Sequence, residues 1–105
     1  MSHAWLARQL RQATNAIVTE KGPILAVSYS GFTDYVYCPT TDEYRVTADV
    51  AHKAKELGAS VIAYASTWCN STHEAKEYAK TLGVSIMPYG AYFAHLKKKG
   101  VRVSS

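Results

Sequence analysis

Two stretches of the chain, AKELGASVIAY at residues 54–64 and AKTLGVSIMPY at residues 79–89, repeat one pattern at an offset of 25 residues. In each, an Ala-Lys pair leads to Leu-Gly, and a short apolar segment that ends in tyrosine follows. Glycine is the residue type at which helices commonly stop, because it adopts left-handed backbone angles without strain. Two successive units of helix, glycine and buried strand imply neighbouring parallel strands. We interpret the repeat as two elements with the same geometry rather than as a gene duplication.

The N-terminal half of the chain shows other patterns. Residues 4–20 carry apolar side chains at helical spacing, and the pattern predicts a helix that Gly22 and Pro23 end. The segment ILAVSYS at 24–30 is typical of a buried strand. Residues 33–47 are predicted to form a hairpin, in which PTTD is the turn between TDYVYC and EYRVT.

The predicted element order is therefore α-β-β-β-α-β-α-β-α. An antiparallel region that leads into parallel strands predicts an α/β fold with a mixed sheet and helices on both faces. With 105 residues the chain is long enough for one core, and we expect a single domain over residues 1–105.

Composition restricts the class of protein. The longest apolar runs fall well short of the roughly 20 residues of a membrane helix. The polar, amphipathic start predicts no secretion signal, and Cys38 and Cys69 form no recognisable disulfide framework, so we expect a cytoplasmic protein with free thiols. The net charge of +4 is compatible with a nucleic-acid partner.

A polar loop lies between the strand that ends near Tyr64 and the next helix. Its candidate ligand residues are Ser66, Thr67, Asn70, Ser71 and Thr72. A strand, a Ser/Thr-rich loop and a helix N-terminus favour an anion, and the loop resembles the first loop of flavodoxins, which implies a phosphate or nucleotide site. Ser71 and Glu74 also have the spacing of a capping box, so capping of the helix is the alternative interpretation.

The second half of the chain resembles a nuclease superfamily. The residues that carry the resemblance are Thr72, Ala75, Tyr78, Ala79, Gly83, Val84, Ile86, Gly90, Phe93 and Leu96. Together with the element order, they make the chain similar to the restriction-endonuclease-like, or PD-(D/E)xK, superfamily, and in particular to its Mrr type. The resemblance implies a restriction-endonuclease-like mixed sheet and a protein that binds or cleaves DNA.

The resemblance also implies where a catalytic site would lie. In that superfamily an acidic residue on the second strand and an (Asp/Glu/Gln)-x-Lys pair on the third hold a divalent metal ion, for which Mg²⁺ with its oxygen ligands is the expectation. Asp34 corresponds to the first carboxylate, and Glu43 with Arg45 is the candidate pair. A rearranged site is the alternative, in which Asp34 and Asp49 hold Mg²⁺ and Lys53 supplies the positive charge.

Basic residues provide candidate contacts to DNA phosphates. These are Arg8, Arg11, Lys97, Lys98 and Lys99. The tyrosines of the predicted hairpin indicate stacking or a homodimer contact. Two other functions stay open from the sequence: a non-catalytic dimeric interaction module, and a small phosphate- or nucleotide-binding α/β protein.

Overall fold

The computed structural model describes residues 3–40, 42–65 and 69–103. In chain order the elements are α1 (His3–Ala13), β1 (Ile17–Lys21), β2 (Ile24–Tyr29), β3 (Phe32–Tyr37), β4 (Arg45–Val46), α2 (Ala48–Glu56), β5 (Val61–Tyr64), β6 (Asn70–Ser71), α3 (His73–Leu82), β7 (Ser85–Pro88) and α4 (Tyr89–Lys98). The main sheet has five strands in the order β1-β2-β3-β5-β7, and β4 and β6 form a small second sheet. None of the helices among these residues has the length and apolarity needed to cross a membrane.

The α/β class and the mixed sheet are confirmed. Strands β1, β2 and β3 pair antiparallel, whereas β3, β5 and β7 pair parallel. The parallel pairing of β5 with β7 is the one that the repeated pattern predicts. The order of the four helices and five main strands also agrees with the predicted order. The predicted strands at 24–30 and 33–38 correspond to β2 and β3, whereas β1 lies in the segment that was predicted as helix and the predicted third strand is β4, outside the main sheet.

The first predicted helix was too long. Helix α1 ends at Ala13, and β1 begins at Ile17, where the β-branched run Ile-Val-Thr favours a strand. A two-residue turn joins Lys21 to Ile24, and its first residue, Gly22, has φ +61°. Left-handed angles at that position match the right-handed twist of the paired strands. The Gly-Pro pair that was predicted to end a helix therefore turns a hairpin.

The predicted hairpin over residues 33–47 was also wrong. Its first strand, β3, pairs with β2 through a two-residue turn at Ser30 and Gly31, whose φ angles are +46° and +82°. Two consecutive positive φ angles belong to the type I′ turn that suits a tight hairpin. The predicted returning strand shortens to β4, which pairs parallel with β6 in the second sheet.

A narrow joint connects the antiparallel and parallel halves of the main sheet. Strands β3 and β5 pair over two residues of each strand. Just before β5, Ser60 N donates to the Tyr35 carbonyl oxygen at 2.7 Å, and Tyr35 N donates to Ser60 Oγ at 3.0 Å. The side chain of Ser60 thus replaces a backbone acceptor at the place where the ladder begins.

Two layers of helices cover the sheet. Helices α1 and α4 pack on one face, which we call the α1–α4 face, around Leu10, Val27, Val36 and Leu96. Helices α2 and α3 cover the opposite α2–α3 face, where Ile62 is fully buried with α2 and α3 residues. Because side chains alternate along a strand, each residue of β3 belongs to one of these two faces.

The start of α3 differs from the predicted capping box. Thr72 is the N-cap, and its Oγ1 accepts from Ala75 N at 3.0 Å. Ser71 lies one residue too early and belongs to β6, where its hydroxyl donates to the Tyr64 hydroxyl at 3.4 Å. The predicted stop at Gly83 is confirmed, since this residue caps α3 with φ +75°.

The repeated pattern supplies a matched test of the joint, because Ser60 and Ser85 occupy the same position in its two copies. Ser60→Ala removes the acceptor for Tyr35 N, and we expect the free energy of unfolding to fall by about 1 kcal/mol. The Ser85 side chain makes no hydrogen bond among the described residues. Ser85→Ala should therefore change the free energy of unfolding by less than about 0.5 kcal/mol. Urea denaturation of both variants measures the difference, and equal effects would contradict the role of Ser60.

Candidate functional site

Asp34 lies at the centre of a hydrogen-bonded cluster on the α1–α4 face. Its Oδ2 accepts from Tyr29 Oη at 2.7 Å and from Tyr92 Oη at 3.1 Å. Its side chain is 16 % exposed. We call Tyr29, Asp34, Tyr92 and His95 the Asp34 cluster, because β2, β3 and α4 together bring them to one carboxylate.

The two tyrosines of this cluster are donors. Burial, followed by the hydrogen bond to Asp34 and its negative charge, raises the pKa of Tyr29. Burial, followed by the charge of Asp34 and the hydrogen bond to it, raises the pKa of Tyr92. Both hydroxyls therefore stay protonated, and they stabilise the carboxylate as an acceptor.

His95 connects the cluster to the surface. Its Nε2 lies 3.6 Å from Asp34 Oδ2 and 3.3 Å from Tyr29 Oη, and its ring stacks on Tyr92 with 6.0 Å between centroids. The same histidine lines an open groove of about 340 Å³ between α4 and β7, together with Lys98. The sequence pattern did not single out Tyr92 or His95 for this site, because both lie on α4, which is distant in sequence from Asp34.

A second cluster surrounds Glu43 on the α2–α3 face. Tyr37 Oη and Thr40 N donate to Glu43 Oε1 at 2.6 Å and 2.9 Å, and Lys53 Nζ lies 3.1 Å from Oε2. Burial by itself raises the pKa of this carboxyl group, but the hydrogen bonds from Tyr37, Thr40 and Lys53 outweigh it, so the pKa lies below its usual value. The structure therefore brings the predicted residues Glu43 and Lys53 together, as an anchor of the segment that precedes β4.

The structure separates the two carboxylates that were predicted to hold Mg²⁺. Asp34 points to the α1–α4 face, whereas Asp49 is an exposed residue in the first turn of α2 on the other face. The pair does not converge on one ion. The third strand of the sheet, β3, contains Asp34 and no lysine. Arg45, in β4, is exposed.

Mg²⁺ usually keeps several water ligands and binds protein through one or two carboxylates plus substrate phosphates. Binding of Mg²⁺ thus stays a prediction. In the structure both tyrosine hydroxyls occupy lone pairs of its Oδ2.

Part of the polar loop before α3 forms backbone hydrogen bonds within the protein. Ser66 and Thr67 lie outside the described residues. Asn70 N donates to the Tyr44 carbonyl at 3.1 Å, and Thr72 N donates to the Val46 carbonyl at 3.1 Å. These two N–H groups pair β6 with β4, and they do not point toward an anion.

The five predicted DNA-contacting residues belong to the two helices of one face. Arg8 and Arg11 lie on α1, and Lys97–Lys99 lie at the end of α4. The isolated bridge between Thr14 and Val103 brings the chain after α4 to the end of α1. All five residues are exposed, and Arg11 also donates to the Val18 carbonyl at 3.0 Å and lies 3.8 Å from Glu20.

Charge is distributed unequally between the two helical layers. Residues 3–13 and 89–103, which form α1, α4 and the chain after it, contain six Lys and Arg residues and no Asp or Glu. Helices α2 and α3 contain four lysines and four acidic residues. The positive excess of the chain therefore lies on the α1–α4 side.

The tyrosines that were predicted to support a homodimer are not all available at the surface. Tyr29 and Tyr37 are buried inside the sheet, whereas Tyr35 and Tyr44 are exposed. Strands β2 and β3 lie in the interior of the main sheet, between β1 and β5. Homodimerisation stays a prediction.

Comparison of the chain with protein-family models gave no match. Searches among curated proteins and among solved structures gave none either. The functional proposal below therefore depends on the geometry and charge of the described residues.

The lowered pKa of Glu43 makes a prediction about acid stability. Because the folded-state pKa lies below the unfolded-state value of about 4.3, the carboxylate stabilises the fold fully above that value. The stabilisation is lost as the pH falls through the lower folded-state pKa. We expect Glu43→Gln to reduce the free energy of unfolding by about 1–3 kcal/mol at pH 7, and by progressively less as the pH falls below the unfolded-state pKa.

Tyr37→Phe is the companion variant for that experiment, because it removes one of the four hydrogen-bond donors to Glu43 and keeps the ring in the core. The reduction in the free energy of unfolding that Tyr37→Phe causes should likewise be smaller at acid pH than at pH 7. Denaturant titrations over the acid range measure both variants. A penalty for Glu43→Gln that stays constant from pH 7 to pH 3 would show that the charge of Glu43 contributes nothing.

Proposed function

We propose that this protein binds DNA through its α1–α4 face. The observation that carries the proposal is the absence of acidic residues from 3–13 and 89–103, where six basic residues lie. Nucleic-acid binding depends on neutralisation of backbone phosphates by Lys and Arg, and a basic patch on one face is its electrostatic signature.

The lysines at the end of α4 are the main contributors. Lys97, Lys98 and Lys99 are exposed, and no acidic side chain pairs with them among the described residues. Lys97 and Lys98 also lie in the last turn of α4, where positive charge compensates the helix dipole. That local effect needs one or two cations, whereas Lys99, Arg102 and the arginines of α1 extend the charge beyond the turn.

We also propose kinship with the restriction-endonuclease-like superfamily. Support comes from the element order of the five-stranded sheet, once the two-residue strands β4 and β6 are set aside. The positions of the carboxylates favour binding over cleavage, because the predicted metal pair is divided between two faces of the sheet. The protein would then act on DNA as a binding module.

The proposal predicts salt-dependent affinity that depends on one face. We expect the triple variant Lys97→Ala/Lys98→Ala/Lys99→Ala to weaken binding of a labelled oligonucleotide, measured by fluorescence anisotropy. The slope of log affinity against log salt should become shallower by about 0.9 for each duplex phosphate that the lysines no longer neutralise.

A matched control removes the same charge from the other face. Lys55, Lys76 and Lys80 are exposed lysines of α2 and α3, and their triple alanine variant lowers the net charge equally. We expect the control to retain most of the affinity. Equal reductions of affinity in the two triple variants would indicate attraction by net charge alone and would reject the α1–α4 face as the binding surface.

The absence of cleavage is a separate prediction. Incubation of the protein with plasmid or single-stranded DNA and Mg²⁺ or Mn²⁺ should leave the DNA intact, because Asp34 and Asp49 do not converge. Agarose and denaturing gels measure the products. Cleavage by the wild type that Asp34→Asn abolishes would establish a metal-dependent nuclease centred on Asp34.

A further inference from the structure

Phe32 is an aromatic side chain that the sheet presents to solvent. It is the first residue of β3 and is 56 % exposed, although its register places it on the α1–α4 face with Tyr29. The two rings lie 6.1 Å apart with an angle of 36° between their planes. The next residues of the same face along β3, Asp34 and Val36, are largely or fully buried, whereas the Phe32 ring is exposed to solvent.

The backbone that carries Phe32 is constrained. The type I′ turn at Ser30 and Gly31 comes immediately before it, and the pair between Tyr29 and Phe32 closes the ladder. A residue on a paired strand loses less freedom on binding than a residue in a loop, because its backbone is already ordered. The ring is therefore positioned in advance of any contact.

A cation lies over this ring. Lys99 Nζ is 5.4 Å from the centroid of Phe32, which is a cation–π distance. Lys99 is the C-cap of α4 and continues the basic run of Lys97 and Lys98. An aromatic face and an ammonium group are thus adjacent at the basic end of the α1–α4 face.

We propose that Phe32 and Lys99 form a subsite for one unpaired nucleotide, in which a base stacks on the Phe32 ring and Lys99 contacts the neighbouring phosphate. The subsite rests on the proposed DNA binding and specifies its ligand as single-stranded nucleic acid. Aromatic rings bind bases of any sequence through their π faces, and basic grooves follow the backbone. Lysine carries its ammonium group on a four-carbon stem with several rotatable bonds, so the Lys99 ammonium can leave the ring for a phosphate when a base stacks there.

The geometry favours an unpaired base over a base pair. In a duplex both faces of each base are occupied by its stacked neighbours, so a protein ring reaches a base face only after unstacking. A duplex therefore contacts the lysines at the end of α4 but not the Phe32 ring, whereas a single strand contacts both.

The experiment compares wild type and Phe32→Ala with the same oligonucleotide as a single strand and as a duplex. We expect Phe32→Ala to weaken single-strand binding by roughly 5- to 150-fold and to leave duplex binding unchanged within error. Phe32→Leu keeps an apolar side chain without a π face and should weaken single-strand binding to the same extent. Phe32→Tyr should restore it.

Two controls separate this subsite from the basic face as a whole. Tyr44→Ala removes another exposed aromatic ring, 64 % exposed and one residue before β4, and should not change single-strand affinity. Thermal melts of each variant show whether the fold is retained. Full affinity of Phe32→Ala or Phe32→Leu for the single strand, or equally weakened binding of both ligands, would overturn the subsite.

The outcomes also distinguish the two proposals. If the lysine triple variant weakens binding and Phe32→Ala does not, DNA binding stands and the nucleotide subsite is wrong. If the wild type binds neither ligand at low salt, both are wrong. If the wild type prefers the single strand to the duplex and Phe32→Ala loses that preference, DNA binding and the nucleotide subsite are both supported.

Discussion

Two residue pairs of parallel backbone pairing, with the hydrogen bonds between Ser60 and Tyr35 beside them, join the two halves of the sheet. On one side of this joint the strands are connected by two-residue turns, and on the other by helices. The joint places β3 in the middle of the sheet, between a hairpin and a parallel pair. Candidate functional residues on β3 therefore also contact elements that are far from them in sequence, as Asp34 contacts Tyr92 of α4.

The central position of β3 explains why its polar residues divide into two clusters. Asp34 and Tyr37 differ by an odd number of positions, so they point to opposite faces. Asp34 reaches Tyr92 and His95 of α4, and Tyr37 reaches the anchor around Glu43. The two carboxylates Asp34 and Glu43 therefore belong to clusters on opposite faces of the sheet.

Local patterns predicted the second half of the fold well and the first half poorly. The repeated segments carry helix, glycine and strand signals that agree with each other, and β5, β7 and the stop at Gly83 lie where those signals place them. In the first half, Gly22 is compatible with a helix stop and with a hairpin turn, and the pairing of β1 with β2 decides between them. The cap moved from Ser71 to Thr72 because β6 pairs with β4, a contact between segments that are distant in sequence.

The sequence by itself determined the α/β class, the strands β2 and β3, the parallel pair of β5 and β7, and the basic character of α1 and α4. These properties follow from periodicity, glycine positions and composition, which are local. Only the tertiary structure decided which strands lie beside Asp34 and which side chains surround it. It also decided that the basic helices share a face and that Phe32 is exposed beneath Lys99. The physical reason is that a strand's face and partners depend on its register with distant strands, and a change of one residue in that register reverses every side chain.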